Sequence, residues 1–145
     1  LVDRLAVDHA FRLAGLWIAW LLVMLYHVEL GLMPLFHGLP VEIKSKIPPG
    51  RLPRLFTAMM VYFLLPLAAL LLVVHAHSAP ASWSNQPIWR AVQFWFSVLY
   101  SITNLLHLIA DVRIPDSRAD QVALMVVLTI IGLLINLESW LWWQV

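Results

Sequence analysis

Cysteine is absent from this 145-residue chain, which excludes disulfides, thiolate metal sites, iron–sulfur clusters and cysteine nucleophiles together. Charge is scarce: only 12% of the residues are Asp, Glu, Lys or Arg, roughly half the share of an ordinary soluble domain. A net charge of +1, with no long Lys/Arg run, excludes nucleic acid as a partner. Glycine is limited to five dispersed residues, so a phosphate-cradling loop is missing, as are the GxSxG, HExxH and ExxH signatures of hydrolases, metalloproteases and di-iron proteins. Any cofactor must hang on His, carboxylate or Met. The sequence opens at Leu1 rather than Met, which leaves room for residues, or a removed targeting segment, ahead of it.

What is present is apolar: 62% of the chain, gathered into four runs nearly free of charge. The runs span 13–32, 56–74, 91–110 and 122–142, each long enough as a helix to cross roughly 30 Å of hydrocarbon. Helices follow because an isolated strand leaves its backbone unsatisfied in lipid, and barrel-type alternation is missing. The expected fold is all-α: one polytopic integral membrane domain over 1–145, four transmembrane helices in an up-down bundle. The expected partners are the lipid bilayer and other membrane subunits or further copies of the chain.

Cations set an expected direction. Arg4, Arg12 and Arg90 fall on the side of the termini; Lys44, Lys46, Arg51, Arg54, Arg113 and Arg118 fall on the other. The positive-inside rule then puts both termini outside the cytoplasm and loops 34–54 and 111–120 inside it. All eight tryptophans (residues 17, 20, 83, 89, 95, 140, 142 and 143) lie toward the expected outer end and read as one interfacial aromatic belt. The first loop, 34–54, holds five prolines and four cations and reads as an irregular segment on the headgroups. Ile47–Arg51 (IPPGR) and Ile114–Arg118 (IPDSR) each precede an apolar run, Pro66 aligns loosely with Gly132, and the chain reads as two tandem hairpins on this faint repeat. Pro66 is expected to kink the second helix and free a carbonyl for a neighbour to satisfy.

The third run carries the clearest signal. At 100° per residue, Ser97, Tyr100, Ser101, Asn104, His107 and Asp111 fall within an arc of about 120°. Lipid offers no hydrogen bonds, so this side is expected to face protein. His107 with Asp111 one turn later resembles, in chemistry, an imidazole oriented by a carboxylate. On the first helix, Trp17, Trp20, Met24, His27 and Gly31 form one stripe, and Glu29 points roughly 160° away from His27.

His27 and His107 are expected at similar depth, and with Asn104 and Asp111 they form the candidate cofactor site, for haem b, a chlorophyll-type pigment or a metal ion. His75, His77 and Glu138 are weaker metal candidates near the outer end. Glu29 is the expected contact for a proton or a partner. Three functions are open on these residues: an accessory or structural subunit of a larger membrane assembly, anchoring a cofactor that could serve electron transfer; a homo-oligomeric proton-coupled transporter using Glu29; and a membrane enzyme acting on a lipid or quinone with His107 and Asp111 as its acid–base pair.

Overall fold

The computed structural model describes residues 2–40, 48–114 and 117–145. Among these residues, four α-helices make up the fold: α1 (Val2–Phe36), α2 (Leu52–Ser78), α3 (Pro87–Arg113) and α4 (Ala119–Gln144), with short 3-10 turns at Pro49–Arg51 and Trp83–Asn85. Each helix is long and apolar enough to cross a membrane, so the chain is an all-α integral membrane protein of four up-down helices. α1 packs along α2 and α4, and α3 along α4, which leaves α1 and α3 facing one another across the bundle.

α1 begins eleven residues earlier than the uncharged run. The buried stripe of Ala6, Ala10, Leu13, Trp17, Trp20, Met24 and His27 runs unbroken at helical spacing through the charged segment, whose Arg12 lies exposed on another side. The helix also continues past Pro34, so the first loop is shorter than 34–54: α1 takes its first three residues, and Pro49–Arg51 with the start of α2 takes its last six. Lys44, Lys46 and part of each IPxxR motif lie outside the described residues. The third loop, expected over 111–120, shortens likewise, since α3 runs to Arg113 and α4 starts at Ala119.

The aromatic belt needs correction. Trp17, Trp20 and Trp142 are at most 1% exposed and form the centre of the core, with Met125, Leu128, Ile135 and Val73 around them. Trp17 packs edge-on against Trp20 and Tyr100 and tilted against Phe96. Large flat rings fill the space between widely spaced helices, and that use outcompetes the headgroup preference for these three. The other five tryptophans are partly or largely exposed.

Two prolines inside helices, Pro34 and Pro66, each remove one helical hydrogen bond, and both carbonyls they strand are recovered by side chains from the second half of the chain. Pro66 cannot donate to Tyr62 O; the Tyr100 hydroxyl of α3 donates there instead at 2.7 Å. Pro34 cannot donate to Leu30 O; Arg118 Nη1 donates there at 3.0 Å. Tyr62 and Tyr100 also stack with centroids 4.9 Å apart. Tyr100→Phe is expected to destabilise the bundle by about 1–3 kcal/mol, because a buried carbonyl loses its donor. Adding Pro66→Ala should return most of that loss by restoring the helical N–H. Melting of the four members of this double-mutant cycle in detergent decides it; strictly additive shifts would show the two positions to be unconnected.

Candidate functional site

The buried face of α3 is polar from end to end: Arg90, Gln93, Ser97, Tyr100, Asn104 and Asp111 are all buried. The expected arc therefore faces protein. His107, at the margin of the arc, is the exception, with 46% of its side chain exposed.

Towards the end of the bundle that holds the α1–α2 and α3–α4 loops, three candidate residues meet. Asp111 Oδ1 lies 3.6 Å from His107 Nε2, one turn back on the same helix, and Asp111 Oδ2 lies 3.9 Å from His27 Nε2 across the bundle. The two imidazoles touch edge to face, centroids 5.3 Å apart. One ligand atom from each residue falls within 4.8 Å of the others. The α1 stripe brings His27 there because it stands at i+7 from Trp20 and i+3 from Met24, so the core that buries those residues also aims the imidazole inward.

This site is polar but under-satisfied. His27 Nδ1 and Asp111 Oδ2 are buried without a hydrogen-bond partner, and so is Gln121 Nε2 of α4. Gln121 is next to the site: its amide nitrogen lies 3.8 Å from where a side chain on Gly31, one turn beyond His27, would begin. Orphaned polar atoms are costly in a low-dielectric interior unless something else engages them. Ligands around one tetrahedral ion, bonded at about 2.1 Å, stand about 3.4 Å apart. The His107–Asp111 distance already matches, and the His27–Asp111 distance exceeds it by about 0.5 Å. A flat macrocycle ligated from both sides does not fit between rings in edge-to-face contact, so the arrangement suits a small ion rather than a bis-histidine haem.

The remaining candidates sit apart. Asn104 lies two turns deeper than Asp111 on the same face, against α4, with both amide atoms unpartnered. A Cβ on Gly132 would stand 3.3 Å from its Nδ2 and 3.0 Å from Ser101 Oγ, so that glycine sets how closely α3 and α4 approach. Ser101 donates to Asn136 Oδ1 of α4 at 3.2 Å. Glu29 is exposed, on a side of α1 shared with Leu22, Leu25, Tyr26 and Leu32, and makes no ion pair among the described residues. It stands one residue from Leu30, whose carbonyl Arg118 reaches, and thus near the helix ends rather than mid-bilayer.

His75, His77 and Glu138 do not gather. His75 Nδ1 is hydrogen-bonded to Ser84 Oγ at 2.8 Å, and His77 Nδ1 to Val7 O at 3.2 Å, because two positions on a helix turn their side chains to nearly opposite sides. Glu138 is taken by His9, whose Nδ1 lies 2.6 Å from Oε1, with Arg12 Nε at 3.2 Å. His9 is the residue that a search for uncharged runs passes over, and its signal was its place in the α1 stripe. His9 and Glu138 are both nearly buried while Arg12 is mostly exposed. His9→Ala is therefore expected to lower stability by about 2 kcal/mol and Arg12→Ala by under about 1 kcal/mol. Detergent melting of the two variants tests that order; equal losses would show that the exposed arginine holds Glu138.

No family model, curated protein or solved structure matches this chain.

Proposed function

We propose that this chain is a small integral membrane subunit that holds one divalent first-row transition-metal ion between α1 and α3. The observation that carries the reading is the convergence of His27, His107 and Asp111 within 4.8 Å, with His27 Nδ1 and Asp111 Oδ2 left unpartnered. Two imidazoles and one carboxylate form a donor set suited to zinc, iron or their neighbours. His27 and Asp111 would supply the fixed ligands and His107 the adjustable one. An ion there would tie together two helices that otherwise meet only across the bundle.

The same reading assigns the site to the cytoplasmic end, with both termini outside, on the balance of Lys and Arg between loops. Glu29 supports the subunit half of the proposal. An exposed carboxylate amid Leu22, Leu25, Tyr26 and Leu32 is a face suited to a neighbouring membrane helix that carries a cation or a hydrogen-bond donor.

The test is metal analysis of untagged protein purified gently without chelator, followed by cobalt titration of the stripped sample. About one equivalent of metal per chain and visible ligand-field bands with Co2+ are expected. A metal-free preparation that also fails to bind Co2+ at micromolar concentration overturns the metal assignment. Glu29→Leu is expected to lose co-purifying membrane subunits; an unchanged set of partners would overturn the docking role of this face.

A further inference from the structure

α2 and α3 are held apart. Their contact is made by side chains: Tyr100 to Tyr62 O, Tyr62 to Thr103 Oγ1 at 2.8 Å, and Gln93 Nε2 to Ala69 O at 2.9 Å. The stacked pair Tyr62–Tyr100, with Phe96 against Tyr100 at 4.6 Å, acts as a spacer beside the Pro66 interruption. Beyond that spacer, towards the end with the termini, a cavity of about 160 Å³ opens between the two helices. Its walls are Leu65, Ala68 and Leu72 of α2 and Trp89, Val92 and Phe96 of α3, with Gln93 and Ala69 among them.

Gln93 makes this groove more than an apolar gap. Its side chain is buried at 5% exposure, and its amide orientation follows from the bond that Nε2 donates to Ala69 O. That orientation leaves Oε1 as an acceptor, and it has no partner. Gln93 stands six residues into α3, roughly 9 Å along the axis from Pro87, near the start of the apolar span Pro87–Arg113. The interfacial oxygens of ester phospholipids are acceptors, so an ordinary acyl chain entering here leaves Oε1 unpaired. Only a ligand that donates satisfies it.

We propose that this groove binds a neutral lipid alcohol: a molecule whose hydroxyl donates to Gln93 Oε1 and whose hydrocarbon lies against Leu65, Ala68, Leu72 and Phe96. The occupant enters from the bilayer, between α2 and α3, independently of the metal site across the bundle.

The probe is 2-bromooctadecan-1-ol, whose bromine sits beside the hydroxyl, added to the protein in phosphatidylcholine nanodiscs, with quenching of tryptophan fluorescence as the readout. Bromine quenches indole on contact, and Trp89 lines the groove. Quenching is expected to saturate with alcohol, to lose its saturable part in Trp89→Phe, and to vanish in Ala68→Phe, which fills the cavity. The methyl ether of the same chain, lacking the donor, should bind about fivefold more weakly. Gln93→Leu should abolish that preference. Equal binding of alcohol and ether to the native protein, or quenching that rises only linearly with mole fraction as for bulk lipid, would overturn the proposal. If Gln93→Leu does not fold, the alcohol–ether comparison on native protein decides alone.

Discussion

Asp111→Asn is expected to weaken Co2+ binding about a hundredfold while leaving the helical bundle intact. Asp111 stands between both imidazoles, 3.6 Å from His107 and 3.9 Å from His27, and supplies the only negative charge in the triad. The amide keeps its size and removes that charge. His27→Ala should cost a similar factor, because a buried ligand on the facing helix has no substitute. His107→Ala should cost less, since its exposed ring position is open to water as a replacement ligand. Isothermal titration of the three variants with Co2+ gives the order, with circular dichroism as the control for folding. If His107→Ala proves the most damaging and Asp111→Asn is silent, the ion sits elsewhere on α3 and the triad is only a contact between helices.

The second large effect lies in packing. Gly132→Leu is expected to lower the melting temperature in detergent by about 10 °C, through roughly 3 kcal/mol of overpacking. A Cβ at this position already comes within 3.0 Å of Ser101 Oγ and 3.3 Å of Asn104 Nδ2. Gly132→Ala should be far milder, since Ser101 can rotate away at the expense of its bond to Asn136 and the new methyl favours the helix. Leucine has no such escape, because Ser101 and Asn104 stand side by side on α3. A leucine variant that melts within two or three degrees of the alanine variant would show that α3 and α4 separate freely there.

Much of the fold was legible in the sequence, since a run of apolar residues long enough to span lipid leaves the backbone little choice but a helix. The α3 arc was readable for the same reason: polar groups on one side of a span must face protein. What an uncharged-run criterion misses is α1 before Leu13, where burial is carried by Ala6, Ala10 and His9 while charge sits on another side. The meeting of His27 with His107 and Asp111 followed from like depth on helices running the same way. Its neighbours did not: Gln121 comes close because Gly31 leaves space, a fact of packing across helices. The three buried tryptophans mislead because the same ring that favours a headgroup layer also fills a wide interhelical gap, and composition does not separate the two uses.

The recovered carbonyls also bear on how the protein is made. During synthesis α1 and α2 emerge first, each carrying a main-chain acceptor with no partner in its own hairpin. Their donors, Tyr100 and Arg118, are translated later. The leading hairpin is thus unfinished on entering the bilayer, and the trailing half completes it as it arrives. Expressed alone, residues before the second turn should be degraded quickly, and co-expression of the trailing half as a separate chain should rescue them.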